Sequence, residues 1–316
     1  MYDKVKLWID RCDVGEQYPN ITQYLDEAME QTDLRTGETR TCGSLQGLKV
    51  GLYVGGLSIV GSLPKFMYGS NIYPLDRHTT AEAIIKIEDA LHISLIDAKV
   101  TGFEFGYCFL MRHRVQEYLD RLGSMPRLQR YRFNPQTLYY KHRGQQQPKT
   151  FCYYDKVADA KKKKMEIPQG LQGANLLRCE LRMDGRLPYQ LGVPEVTAST
   201  LSDRRFNKIV MNRFQNDYFS IVKINRLKDN AMSEIKTVSD AFDCFMGKLM
   251  NQTGQSQEFI DDFLQELRNA DVFKDRVSYT RLKKKIERAA SKANLTITDE
   301  LISELDDEIR NCGAYV

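Results

Sequence analysis

The chain has 316 residues, 42% hydrophobic and 28% charged, with a formal net charge of +4. That composition supplies a core and excludes an intrinsically disordered chain, and no run of about 18 apolar residues exists to span a membrane. Met1 to Trp8 lack the apolar stretch of a signal peptide, and seven scattered cysteines with no CxxC argue against a disulfide scaffold or a structural zinc site and for a reducing compartment.

In chain order, residues 4–9 alternate polar and apolar side chains, as a half-buried strand does. Residues 22–31 open with Thr-Gln-Tyr-Leu-Asp-Glu and predict a short capped helix. Residues 48–60 are rich in β-branched and aromatic side chains, and their glycines predict a turn or bulge between strands. Residues 61–72 end in the turn formers Gly69, Ser70 and Asn71 and read as a connection presenting Lys65 and Asn71. Residues 79–91 carry threonine caps and apolar side chains at helical spacing, Ala83, Ile84, Ile87 and Leu91. Residues 99–110 predict a strand with Glu104 between glycines on one face and Phe103 and Phe105 on the other. A helix follows at 114–122, ended by Gly123, then strands at 137–141, 150–155 and 176–183. Past Pro194 the period changes to 3.6 residues at 203–214, 239–250, 257–270, 279–292 and 298–311. The fold class expected is α+β: an antiparallel-sheet domain with covering helices over residues 1–195, followed by an all-helical C-terminal domain over 196–316.

Charge is unevenly spread. Residues 112–186 hold seventeen Lys/Arg against seven Asp/Glu, which leaves about minus six for the rest. A basic middle third suits a polyanion; a solvated charged face is the plain alternative. The run Lys161, Lys162, Lys163 and Lys164 and the basic helix at 281–292 pose the same choice.

The aromatic strand around 151–155 ends in charges. Tyr154 and Lys156 share one face of such a strand, Tyr153 and Asp155 the other, and Asp159 comes just beyond. A tyrosine can attack a phosphodiester and hold the phosphate covalently. Its phenol, with an unperturbed pKa of ~10, needs a neighbouring lysine or metal ion to react near neutrality. The competing reading is an aromatic strand with an exposed charged end. Glu104 and Glu180 lie within otherwise apolar strands, where a carboxylate is costly unless paired or metal-bound. Hard oxygen donors suit Mg²⁺ or Mn²⁺, whereas Arg178 and Arg182, on Glu180's face, offer a simple ion pair instead. The four histidines form no HxH or HExxH, and no P-loop appears, so a histidine-metal nuclease and an ATP-driven helicase are unsupported.

Four motifs then fall in order: Ser62-Leu-Pro-Lys with Gly69-Ser-Asn71; Val100-Thr-Gly-Phe-Glu-Phe105; Tyr153-Tyr-Asp-Lys-Val-Ala-Asp159; and Leu177-Arg-Cys-Glu-Leu-Arg182. Together they resemble the phage and plasmid replication proteins of the gene II/X family over roughly residues 45–190. The resemblance implies a nuclease domain that nicks a supercoiled origin, single-stranded or cruciform, and starts rolling-circle synthesis through a covalent phosphotyrosine. It implies Mg²⁺ or Mn²⁺ as cofactor, the cytoplasm of a bacterial host, and DNA as partner, with a host helicase or a second copy of the chain as further partners. It puts Tyr154 in the place of the nucleophile, with Tyr153 in reserve and Lys156 as the neighbouring cation. Glu104, Glu180, Asp159 and Asp155 become the metal-binding acids. Lys65, Asn71, Arg178, Arg182 and the four lysines from Lys161 to Lys164 become DNA contacts. This sequence departs from the family pattern at Gly102, where arginine is usual, and at Glu104, where aspartate is; Cys179 stands where a related initiator family has tyrosine. A non-catalytic DNA-binding replication regulator or mobilisation accessory protein is the alternative.

Overall fold

The computed structural model describes residues 1–144, 146–224, 226–227, 235–253, 257–273, 275–291, 296–297 and 299–315. The chain divides into two compact units: Met1–Leu119, Met125–Ser220 and Asp307–Val316 in the first, Asp120–Ser124 and Ile221–Asp306 in the second. The division falls after Ser220 and not near residue 195, because the helix Arg204–Phe219 packs on the sheet: Phe214 meets the rings of Phe105, Tyr107 and Phe151.

The first unit is built on a ten-stranded antiparallel sheet. Its strands are β1 Tyr2–Asp10, β2 Asp26–Thr32, β3 Thr39–Leu45, β4 Leu48–Tyr53, β5 Gly56–Ser62, β6 Lys99–Leu110, β7 Gln129–Asn134, β8 Thr137–Lys141, β9 Lys149–Asp155 and β10 Leu176–Asp184. Their order is β2-β3-β4-β5-β1-β6-β10-β9-β8-β7, so strands far apart in sequence meet at the centre. Period-two alternation sorts the side chains. Phe103, Phe105, Leu181, Phe151, Tyr153 and Leu138 lie on one face and are buried in the core. Glu104, Gly106, Glu180, Arg182, Cys152 and Tyr154 share the other face.

The helices of this unit are α1 Arg11–Val14, α2 Leu63–Tyr68, α3 Arg77–Leu91, α4 Val115–Arg121, α5 Lys156–Lys162, α6 Leu187–Leu191 and α7 Arg204–Phe219. Short polar side chains start them: Ser62 caps α2, Asp76 caps α3 in a reciprocal box with Thr79, Asp155 caps α5 and Asp203 caps α7. The connection at 61–72 thus holds a helix, with Pro64 in its first turn and Gly69 closing it at φ 72°.

The helix expected at 22–31 does not form. Gly15–Tyr24 is 3₁₀ and Asp26–Thr32 is β2, paired with β3. All seven side chains of β2 are exposed, so no apolar stripe held a helix there, and the partner strand decides the conformation. Among the described residues, the second unit is helical apart from one short antiparallel pairing, Arg226–Leu227 with Thr296–Ile297. Its helices are α8 Val238–Thr253, α9 Gln257–Asn269 and α10 Arg276–Ser291, and α11 Glu300–Asn311 leads into the last segment of the first unit. Among the described residues, no helix is long and apolar enough to cross a membrane.

Candidate active site

Three carboxylates meet on the polar face of the sheet centre: Asp3 of β1, Glu104 of β6 and Glu180 of β10, with one oxygen of each within 4.8 Å of the others. Among the described residues this is the one such cluster. Two local features assemble it. A register shift between Tyr2 and Val5 bulges β1 and re-aims Asp3 away from the core side. Gly106 lies between Asp3 and Glu180 on β6, opposite Glu180 in register, and has no side chain to separate them.

The fourth member comes from β9. The Tyr154 hydroxyl donates to Glu180 Oε1 at 3.3 Å. Glu180 and Arg178 are each only 1% exposed. Arg178 Nε reaches Glu180 Oε1 at 3.2 Å and its Nη2 reaches Asp3 Oδ2 at 3.5 Å. Arg182 sets Nη2 at 2.7 Å from Glu180 Oε2 and Nε at 3.5 Å from Glu104 Oε1. Behind Asp3 the chain of contacts continues. Asn71 Nδ2 donates to Asp3 Oδ2 at 2.8 Å, Ser62 Oγ donates to Asp3 Oδ1, and Lys156 Nζ donates to Asn71 Oδ1 at 2.8 Å.

The electrostatics follow from burial and these partners. Burial alone would push the Glu180 carboxyl up, but the guanidiniums of Arg178 and Arg182 outweigh it and hold the group below its usual range. Glu104 goes the other way: burial, then the charge of Glu180, push it up, and Arg182 offsets only part of this. Burial and then Glu180 push the Tyr154 phenol far above its ordinary value. Burial and then Arg178 lower Lys156. The oxygen-only donor set of Asp3, Glu104 and Glu180 fits a hard divalent cation of the Mg²⁺ or Mn²⁺ kind.

Beside Tyr154 opens a cleft of about 370 Å³ lined by Tyr139, Cys152, Asp155, Asp159, Lys162, Lys163 and Arg182, among others. The sequence-derived candidates sort by where they stand. Tyr154, Glu104, Glu180 and Arg182 converge. Tyr153 does not: it is fully buried on the opposite face, against Tyr140 and Phe151. Asp155 spends its carboxylate on the Ala158 amide and Asp159 pairs with Lys163 at 2.8 Å, so Asp3 takes the place expected of them in the carboxylate cluster. Lys156 is buried and bonded to Asn71 rather than to the phenol. Arg178 is too buried to touch DNA, and Asn71 is a bridge between Asp3 and Lys156. Lys65 and Lys161 to Lys164 are exposed, the latter at the end of α5 and just past it. Asp3 escaped notice because it precedes the alternating stretch and nothing local announces a bulge.

Residues 1–208 match the Phage_CRI family model, which describes the N-terminal region of a replication-associated protein. Among solved structures, a rolling circle replication initiator protein from Geobacillus stearothermophilus is similar at 10% identity and a TM-score of 0.40, over 72% of this chain and 86% of that one. No curated protein matches. With about two thirds of its length inside the family match, the chain belongs to the replication-associated proteins of the Phage_CRI family.

Proposed function

We propose that this protein initiates rolling-circle replication by nicking one DNA strand and holding the new 5′ end on Tyr154. The observation that carries this reading is the Tyr154 hydroxyl at 3.3 Å from Glu180 Oε1, at the edge of the three-carboxylate cluster. In the reaction, Tyr154 Oη forms a bond to the scissile phosphorus, the bond from phosphorus to the 3′ oxygen breaks, and the phenol proton ends on that oxygen. Glu180 Oε1, which accepts the hydroxyl's hydrogen bond, is the acceptor nearest to carry the proton away. Arg182, partly exposed at the mouth of the cleft, faces the phosphate's charge, while buried Arg178 keeps Asp3 and Glu180 oriented. A divalent cation held by Asp3, Glu104 and Glu180 would polarise the phosphate and offset the burial that keeps the phenol protonated. The free 3′ hydroxyl primes synthesis, and the phosphotyrosine conserves the bond for rejoining.

The test is incubation with supercoiled DNA of the chain's own replicon and Mg²⁺ or Mn²⁺. Open circles carrying a detergent-resistant protein adduct are expected, with mass spectrometry placing the link at Tyr154. Tyr154→Phe should still bind the DNA and give neither product. An adduct on the phenylalanine variant overturns the assignment.

A further inference from the structure

Charge in the second unit is sorted by helix. Residues 221–306 hold fourteen Lys/Arg against fifteen Asp/Glu, so the unit as a whole is not basic. Yet α10 carries six Lys/Arg against Glu287 alone, while α9 carries four acids against Arg268 alone. A surface charged only for solubility mixes the two signs. Packing fixes which side of α10 meets solvent. The buried Tyr279 accepts from the Phe273 amide at 3.0 Å and donates to the Leu267 carbonyl at 3.2 Å, which locks the corner after α9. Asp275 caps α10 through the Ser278 amide and hydroxyl, both at 2.7 Å. Farther along, Ala289 is buried and Arg288 pairs with Asp240 at 2.7 Å and Asp243 at 3.0 Å, both on α8.

Two adjacent rows at i, i+4 spacing are left outward. One runs Arg276, Thr280, Lys284 and on to Arg288. The other is Val277, Arg281 and Lys285. Every member is exposed, and none is acidic or aromatic. Among the described residues, Arg276 and Lys284 have no carboxylate partner, and Lys285 has only the Phe242 ring at 5.9 Å. Arg281 makes no ion pair either and acts at longer range on Asp275, whose carboxylate is committed to Ser278. Glu287 turns to Lys283 at 3.9 Å, and Asp240 and Asp243 are taken by Arg288. From Arg276 to Lys285 the helix rises about 14 Å, the rise of about four base pairs of duplex.

We infer that the outer face of α10 is a site for duplex DNA, lying in the major groove with Arg276, Arg281, Lys284 and Lys285 toward the phosphates and base edges. An α-helix fits that groove whole, and the methyls of Val277 and Thr280 suit the thymine methyls exposed there. A single strand is held by stacking on aromatic rings, which these rows lack. The inference goes beyond the nicking reading: it gives the second unit its own polyanion, and it stands whether or not Tyr154 attacks DNA.

The test uses the full chain in EDTA, so that no strand is cut, and a fluorescein-labelled duplex of the chain's own replicon. Anisotropy over a range of salt gives the affinity and its salt slope. Arg281→Ala and Lys284→Ala together should weaken duplex binding at low salt by roughly tenfold or more and lower the slope of log affinity against log salt by about 1.8. Binding of oligothymidylate of equal length should change little. Both positions are exposed and alanine suits a helix, so the melting temperature should hold. An unaltered slope overturns the site, as does an equal loss for oligothymidylate. Sedimentation that shows the parent self-associating and the double variant monomeric, with duplex affinity unchanged, would give the face to the acidic α9 of a second copy and overturn the site too. Tyr154→Phe should bind the duplex as the parent does. A lowered slope in the double variant with no adduct in the parent would sink the nicking reading and leave this site; an adduct with an unaltered slope would do the reverse.

Discussion

Arg178 and Arg182 both converge on Glu180, while Glu104 receives a single 3.5 Å approach from Arg182. Their carboxyls shift in opposite directions for that reason. A raised carboxyl binds its proton more tightly folded than unfolded, so the stability it contributes is complete below the unfolded pKa and is lost as pH rises through the folded one. At neutral pH, Glu104 therefore works against the metal-free fold. Glu104→Gln should melt higher than the parent in chelator at neutral pH, with the difference shrinking in mild acid. It should also lose most of the melting-temperature gain that Mn²⁺ gives the parent, since a ligand stabilises only the state that binds it. Scanning fluorimetry with and without EDTA reads both; a variant less stable than the parent in EDTA would mean that Arg182 outweighs the crowding. Asn71 poses a different question, because it joins a buried lysine to a buried aspartate. Asn71→Leu strands the Lys156 ammonium, at a cost of about 3 kcal/mol by urea denaturation. It should slow nicking more than it weakens DNA binding, because Asp3 loses a donor while the exposed lysines remain.

At the scale of elements, the glycines of β6 carry unequal weight. A Cβ on Gly106 would lie 2.1 Å from the Cys179 carbonyl oxygen and 2.9 Å from Glu180 Cα, both backbone of β10. On Gly102 it would meet Asp184 Oδ1 at 3.0 Å and Lys6 Cδ at 3.1 Å, the ends of movable side chains, besides the Met183 carbonyl oxygen at 3.1 Å. Gly106→Ala should therefore prise β6 from β10, cost more than about 3 kcal/mol and disable the site. Gly102→Ala should cost roughly 1 kcal/mol; equal denaturation midpoints for the two would contradict the close approach. The same contrast shows what could be read in the sequence. Period-two alternation located β6, β9 and β10 nearly to the residue, since one face of each had to be apolar, and so Glu104, Glu180 and Tyr154 stood out. Asp3 did not, because a bulge leaves no mark on alternation and β1 reaches β6 across about a hundred intervening residues. Residues 26–32 misled because their composition favours a helix, whereas pairing with β3 has no local signature. The Tyr154–Lys156 pairing on one face extends the strand past its last residue, Asp155, whose side chain caps α5 and turns the chain there.

At the scale of the molecule, the family match ends at residue 208 and the longer segment of the second unit starts at Ile221, so a cut near 220 looks natural. The first unit is not closed by that cut, because Asp307–Val316 belongs to it. Gln215 Nε2 of α7 donates to the Ile309 carbonyl at 2.8 Å, and the Cys312 sulfur lies 3.7 Å from that of Met211. Ile309 and Cys312 are themselves buried. Withdrawing two such side chains, and uncovering the α7 surface under them, should cost roughly 3–5 kcal/mol by apolar area. A fragment of residues 1–220 should therefore melt well below the full chain and bind a hydrophobic dye. Its Tyr154 site should stay assembled, because every strand that builds it is retained, so nicking should persist at low temperature and fail on warming sooner than in the parent. A peptide of residues 299–315 added in trans should raise the fragment's melting temperature, and a Cys312→Ala, Ile309→Ala version of that peptide should not. A fragment as stable as the full chain would mean that α7 needs no cover and that the returning segment is dispensable to the first unit.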